Sequence, residues 1–218
     1  MKYYKINPGG NITAIVEKDY SKPGRIKISK AILASDPSIE QVGFLARPKN
    51  PKALGRVEMM GGEFCGNATR CLAYLLWLKR KDQKEFLIES SGINQLINAA
   101  VSKNYSEISF SSAKFKILKL GGYFAVELPG ITHVIVTERL TKPQAFDLLK
   151  SLGLLNKQAA GVICVSKNQL RIKPFVWVRD TRTFYEETAC ASGSMAVGYR
   201  YRRNCSITQP SGFGLSVR

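Results

Sequence analysis

The strongest constraint on this chain is that it repeats itself, because a repeat fixes the architecture before any local signal does. Ser21-Lys22-Pro23 recurs as Thr141-Lys142-Pro143, at an offset of 120 residues. Each triplet opens a segment with helical apolar spacing, Ile26, Lys30 and Leu33 in one case and Phe146, Leu149 and Leu152 in the other. Gly43-Phe-Leu-Ala-Arg-Pro-Lys-Asn50, a short apolar strand running into a polar turn, returns as Gly161-Val-Ile-Cys-Val-Ser-Lys-Asn168 at an offset of 118. Ser91-Gly92 with Leu96 returns as Ser211-Gly212 with a nearby Leu215, again near 120 on, and two cysteine segments, at Cys65 and Cys190, lie 125 apart. Four features in one order at nearly one spacing predict two homologous halves, 1–115 and 116–218. Each half reads as strand, helix, strand, helix, strand, with hairpin-forming runs such as Glu107-Ile-Ser-Phe-Ser111 and Tyr123-Phe-Ala-Val-Glu-Leu128, an α+β pattern. The second half is shorter after its Ser-Gly pair and reads as lacking its last hairpin.

The 33 Lys+Arg against 16 Asp+Glu give a formal charge of +17, which concentrates anions and is compatible with nucleic-acid binding. The bases are spread along the chain, however. The clusters Leu78-Lys79-Arg80-Lys81 and Arg200-Tyr201-Arg202-Arg203 read better as solvated helix ends, and no recognised nucleic-acid motif accompanies them. No stretch resembles a signal peptide or a membrane span, so a cytoplasmic protein with no membrane partner is expected. Five cysteines without framework spacing read as free thiols; with a single histidine and no Cys-x-x-Cys pair, no protein-built metal site is expected.

The chemistry points to two of the cysteines. Cys65 stands at a Gly/Asn turn directly before the apolar run Ala68-Thr-Arg-Cys-Leu-Ala-Tyr-Leu-Leu-Trp77, and Cys190 stands likewise before Ala191-Ser-Gly-Ser-Met-Ala-Val197. A thiol at a helix N-terminus faces outward-pointing N–H groups and the positive end of the helix dipole, which favour thiolate, and the same N–H groups can hold a carboxylate. If the halves pack about a pseudo-twofold axis, the two helix starts meet in one cleft, with a thiol on each side of one ligand. A thiolate on one face then removes an α-proton and a thiol on the other donates one. Cys71, Cys164 and Cys205 lie in apolar or helical runs with no activating turn and read as structural.

Phe64-Cys65-Gly66-Asn67-Ala68-Thr69-Arg70 and Glu187-Thr188-Ala189-Cys190-Ala191-Ser192-Gly193 resemble the two signature motifs of diaminopimelate epimerase and its relatives, including proline racemase. The resemblance is closest to the histidine racemase branch, whose products feed metallophore synthesis. It extends to Tyr4-Lys5-Ile6-Asn7-Pro8-Gly9-Gly10-Asn11, Glu40-Gln41-Val42-Gly43-Phe44 and Gln209-Pro210-Ser211-Gly212, almost end to end. It implies α+β halves, each a barrel-like sheet around a central helix with the catalytic cysteine at its start, and no cofactor.

The resemblance also implies a set of site residues. Asn11 and Asn67 match substrate contacts, and Ser192, Gly193 and Ser194 match the second carboxylate-binding turn; Gly66 and Ala191, next to the two cysteines, complete the expected substrate-binding set. His133 matches a histidine near the active site, and Glu186 or Glu187 matches an acidic residue before the second cysteine. Blander readings stand beside these: Asn11 as a turn residue, His133 as a half-buried strand histidine with a satisfied ring, and the glutamates as helix caps.

Two departures from the family pattern follow. Ala191 replaces a glycine, which would restrict a turn needing positive φ, and the residues that grip the distal end of diaminopimelate are not reproduced around Asp180-Thr181-Arg182 and Ala159-Ala160. The expected function is a cofactor-independent racemase or epimerase acting on a small amino acid, with histidine a candidate. The alternatives are a carboxylate-based or non-catalytic isomerase relative of the same fold, and a basic binding protein for an acidic ligand or nucleic acid. A missing last hairpin leaves a sheet edge that is either open or covered by the partner of a homodimer.

Overall fold

The computed structural model describes residues 2–81, 83–166, 170–202 and 204–218. Lys167 and Asn168 of the second strand-and-turn copy, and Arg203 of the second basic cluster, lie outside the described residues. The chain divides into two compact units, Met1–Ser112 and Ala113–Arg218. Among the described residues no helix is long and apolar enough to cross a membrane.

The first unit runs β1 (Tyr3–Ile6), β2 (Thr13–Val16), α1 (Lys22–Ser35), β3 (Gln41–Ala46), β4 (Gly55–Met59), α2 (Gly66–Lys79), β5 (Glu85–Ser90), β6 (Ile97–Ser102) and β7 (Tyr105–Ser109). Its seven strands lie in chain order in one sheet. β2 pairs with β3, and β4 with β5, in parallel; these are the two pairings that need a crossover, and α1 and α2 supply them. The remaining pairs are antiparallel.

The sheet curls around α2, which touches every strand from β2 to β7. That placement is written in the helix itself. Ala68, Leu72, Ala73 and Leu75 are strong helix formers, and with Gly66, Asn67, Thr69 and Cys71 they are buried on nearly all sides rather than along one stripe. Lys79 in the last turn complements the dipole.

The second unit repeats the scheme with β8 (Lys116–Leu120), β9 (Tyr123–Leu128), β10 (Ile131–Val136), α3 (Lys142–Ser151), β11 (Ala159–Ser166), β12 (Arg171–Val178), β13 (Thr183–Glu186), α4 (Ala191–Tyr201), β14 (Cys205–Thr208) and β15 (Gly214–Val217). The parallel pairs are β10 with β11 and β12 with β14, crossed by α3 and α4; β11–β12 and β14–β15 are antiparallel. The order parallel, antiparallel, parallel, antiparallel is therefore the same in both units. β15 returns along β14 as β6 returns along β5, whereas β7 has no counterpart among the described residues of the second unit. α4 packs on β9, β10 and β15, and its small buried residues, Ala191, Ser192, Gly193, Ser194, Ala196 and Gly198, let the strands come close.

Local chemistry explains the helix starts. Both α1 and α3 carry proline within the first two helical positions, where no intrahelical N–H is lost. Ahead of α3, Gln144 Oε1 accepts from the Thr141 N–H at 2.8 Å. The buried face of α3 is Ala145 and Leu149. That of α1 is Ser29 and Ile32, flanked by Ile28 and Leu33, so the apolar stripe runs beside the expected Ile26-Lys30-Leu33 line and Lys30 is exposed.

Arg25 ties α1 to β4 through Asp19 (2.8 Å) and Glu58 (3.0 Å), and Arg56 joins Glu58 (2.5 Å) to Glu89 (3.7 Å). The two basic clusters sit where helices end, with Lys79 in the last turn of α2 and Arg200 in that of α4. Arg200 lies 3.8 Å over the Phe124 ring, and Tyr199 packs edge-on against Phe115, so the aromatics interleaved with these bases are engaged in packing.

Candidate active site

In the first unit Cys65 is the N-cap of α2, extended at φ −128°, ψ 111°, and its sulfur accepts from the Ala68 N–H at 3.4 Å. Thr69 donates both its N–H (3.0 Å) and its hydroxyl (2.7 Å) to the Cys65 carbonyl. Gly66 and Asn67 occupy the first helical positions, whose N–H groups point out of the helix.

The lead-in to the helix is held from the turn that follows β5. Ser91 Oγ donates to the Glu63 carbonyl (2.6 Å) and accepts from the Met59 N–H (2.9 Å). Gly92, at φ +73°, lies so close that a Cβ there would stand 2.3 Å from the Phe64 nitrogen. The Cys65 thiol donates to Gln41 Oε1 at 2.8 Å, Gln41 Nε2 to Thr13 Oγ1 at 2.9 Å, and Thr13 Oγ1 to the Asn11 carbonyl at 3.0 Å. Asn11 is buried in the left-handed region, φ +55°, on a loop folded by Asn7 Oδ1, which accepts from Gly9 N–H and Gly10 N–H. Arg70 Nη1 and Nε clamp this loop to β7 through Pro8 O (3.0 Å) and Ser106 O (2.8 Å). One hydrogen-bonded chain thus joins Asn11 to Cys65.

The second unit rebuilds the capping contacts of the helix start. Cys190 caps α4 at φ −138°, ψ 102°; its sulfur accepts from the Gly193 N–H at 3.4 Å, and Ser194 donates N–H (2.9 Å) and hydroxyl (2.8 Å) to its carbonyl. Ser211 N–H holds the Thr188 carbonyl at 2.9 Å, two residues before the cysteine, where in the first unit it is the Ser91 hydroxyl that holds the Glu63 carbonyl.

The differences lie around the sulfur. Cys190 Sγ is 3.5 Å from Ser192 Oγ, which is 2.9 Å from His133 Nε2 on β10. Gln209 Oε1 accepts from the Cys190 backbone N–H (2.9 Å) rather than from its sulfur. Burial pushes the Cys190 thiol well above its ordinary value, and the nearby Glu187 carboxylate pushes the same way, against the Ser192 hydroxyl and the Gly193 N–H. The depression expected at a helix start is therefore reversed here, because desolvation outweighs the N–H groups.

Glu187 is the glutamate that reaches Cys190. Glu186 is exposed on β13 and pairs with Lys173 at 3.2 Å. Ala191 is the first helical residue and is not among the residues at positive φ, so the restriction expected from its Cβ does not arise. Cys71 and Cys164 are buried thiols pushed up by desolvation, Cys71 to about 12.

His133 is fully buried, with Nδ1 against Gly161, where a Cβ would come within 2.4 Å, and no hydrogen-bond partner for Nδ1 among the described residues. Burial pushes its imidazole from 6.5 down to about 3, so it is neutral at physiological pH. The linkage has a definite sign. The unfolded chain takes up a proton near 6.5 that the folded chain refuses until about 3, so this contribution is whole above 6.5 and is lost as pH falls through that window. In urea titrations at pH 7 and pH 4.5, His133→Gln is expected to lose less stability than the parent by roughly 2–3 kcal/mol, at about 1.36 kcal/mol per pH unit. Equal losses would mean that the ring titrates normally.

Sequence reading gave no role to Gln41 and Gln209, which it met only as parts of the resemblance, and it missed Thr13 and the Ser192–His133 link. Gln41 meets Thr13 only through the parallel register of β2 and β3, in which they are direct partners.

Comparison with known proteins gives one consistent picture. The family model described as the histidine racemase CntK N-terminal domain matches residues 1–217. A histidine racemase from Fusobacterium nucleatum subsp. nucleatum is 32% identical over 98% of this chain and 88% of its own length. Among solved structures, a predicted epimerase from Pseudomonas aeruginosa is similar with a TM-score of 0.65 at 11% identity, over 95% of this chain and 86% of that one. A hydroxyproline epimerase from Agrobacterium vitis, solved with bound trans-4-hydroxy-L-proline, gives 0.62 at 12% identity, over 98% and 82%. At those identities the structures speak for the fold.

Proposed function

The chain belongs to the family of the histidine racemase CntK N-terminal domain, and on that premise we propose that it interconverts the enantiomers of a free amino acid, histidine before others, with Cys65 and Cys190 as its acid–base pair. It is an isomerase of the amino-acid racemase class. The observation that carries the two-cysteine reading is the doubled helix start: a cysteine N-cap whose sulfur accepts the i+3 N–H at 3.4 Å occurs once in each unit.

In this reading one sulfur, as thiolate, takes the α-proton into a new S–H bond, and the electron pair left on the α-carbon delocalises into the carboxylate. The other cysteine, as thiol, returns a proton to the opposite face. Gly66 and Asn67 at the start of α2, and Ala191, Ser192 and Gly193 at the start of α4, offer backbone N–H groups to that carboxylate as charge builds on it. Glu187 receives the substrate ammonium. Pairing neutralises the carboxylate that disfavours the Cys190 thiolate, so the base forms with substrate in place. No step draws on a cofactor.

The test is incubation with single L- and D-amino acids in deuterium oxide, read by mass and chiral chromatography. Histidine is expected to gain one α-deuterium and to approach a racemic mixture from either side. Exchange of another amino acid in preference would keep the chemistry and replace the substrate; no exchange with any would overturn the proposal.

A further inference from the structure

The geometry points to Gln41 as the residue that sets Cys65 as a proton donor in the substrate-free protein, by offering the thiol a side-chain carbonyl that can only accept. The inference rests on reading Cys65 as one of the two acid–base groups. Its basis is the orientation of one buried amide. Thr13 gives its hydroxyl proton to the Asn11 carbonyl at 3.0 Å, so its oxygen receives Gln41 Nε2 at 2.9 Å. The other end of the amide, Oε1, is thereby turned to Cys65 Sγ at 2.8 Å. A thiol satisfies that oxygen. A thiolate would face the negative end of a carbonyl dipole, in a side chain that is 6% exposed and has no solvent to turn toward.

The second unit lacks this device. Its glutamine, Gln209, gives Oε1 to the Cys190 backbone N–H and Nε2 to Ser194 Oγ and Ile207 O, and the Cys190 sulfur meets the Ser192 hydroxyl, the Gly193 N–H and the Glu187 carboxylate instead. Each sulfur takes an N–H from its own helix at 3.4 Å, and the acceptor beside it differs: the amide carbonyl of Gln41 at Cys65 and the carboxylate of Glu187 at Cys190. The titratable and charged groups around the Gln41 network are few, and the buried Cys71 thiol, which is bonded to Thr13, is pushed up to about 12 by desolvation. Glu63 precedes Cys65 by two residues and is buried, Glu40 precedes Gln41 by one, and Arg70 turns its guanidinium to Pro8 O and Ser106 O. A carboxylate at Glu63 acts in the same direction as the Gln41 carbonyl, but it is left unchanged when only Gln41 is replaced.

The experiment is the pH–rate profile of iodoacetamide alkylation at Cys65, followed by peptide mass spectrometry on the full chain without substrate. The midpoint of such a profile reports protonation and its plateau reports access, so a loosened structure moves the plateau alone. Gln41→Met removes the acceptor and is expected to lower the midpoint, making Cys65 about tenfold more reactive at pH 7, the weight of one hydrogen bond. Gln41→Glu keeps an acceptor and adds negative charge, and is expected to raise the midpoint. A lower midpoint in Gln41→Met together with a higher one in Gln41→Glu supports the assignment. An unchanged midpoint in Gln41→Met, or shifts of one sign in both, overturns it; a higher midpoint in Gln41→Met would mean that the amide is turned the other way. Because the profile is read without turnover, its failure is separate from a failure to racemise any amino acid.

Discussion

Replacing either Cys65 or Cys190 by serine is expected to lower net racemisation by roughly 10²–10⁴-fold in both directions, the usual worth of a positioned acid or base. In the proposed two-base reaction each direction needs one sulfur to accept a proton and the other to give one, so neither variant would retain a complete pair. Exchange of the α-proton with solvent deuterium should not fall equally. The variant that keeps the base for the L face still takes the proton from L-substrate and returns deuterium to the same face, while the other variant does little. With D-substrate the two change places. Serine cannot substitute, because its hydroxyl is a far weaker acid than a thiol and is not a base at neutral pH. The crossed pattern separates a two-base mechanism from a single base that swings between faces, in which one variant would be dead and the other untouched with both enantiomers. If both variants racemise at the parent rate, the cysteines are structural, and Glu187 becomes the first carboxylate to replace as the base of a different isomerisation.

Much of this arrangement is legible in the sequence because it is carried by local rules. A proline one or two residues after serine or threonine starts a helix wherever the rest of the chain goes, so Ser21 and Thr141 mark α1 and α3 correctly. The cysteines fall at helix starts because an apolar, proline-free run begins immediately after each. What depends on register or depth is not legible. Gln41 reads as the first residue of an ordinary strand until β2 is laid beside β3. The high Cys190 value follows from burial that no neighbour in sequence reveals, and there the helix-start argument gave the wrong sign. Glu186 and Glu187 differ only in which face of a strand end each meets, a one-residue matter that pairing with β12 decides: Glu186 is the last residue of that ladder and turns to Lys173, while Glu187 turns to the thiol.

The repeated Ser-Gly pair offers a sharper test of how the cysteine at α2 is placed, because its two copies carry different loads. Both glycines lie in the left-handed region, Gly92 at φ +73° and Gly212 at φ +88°. Alanine at either position meets a backbone cost of about 1–2 kcal/mol. At Gly212 nothing lies within 4 Å of the added Cβ, so the cost ends there. At Gly92 the Cβ would stand 2.3 Å from Phe64 N and 2.7 Å from Glu63 C, both backbone atoms that cannot rotate away. The segment that must yield is the one that carries Cys65 into α2, and Ser91 Oγ, bonded to the Glu63 carbonyl, must yield with it. Gly92→Ala is therefore expected to destabilise the chain by roughly 3–5 kcal/mol, at the level of a severe core substitution. Chain that remains folded should lose most of its turnover through displacement of the thiol. Gly212→Ala is expected to stay near its backbone cost and to racemise close to the parent rate. Urea midpoints and turnover of the two variants side by side decide the matter. Equal behaviour would mean that the Phe64 backbone gives way readily and that the first cysteine is held by Gln41 and the helix alone.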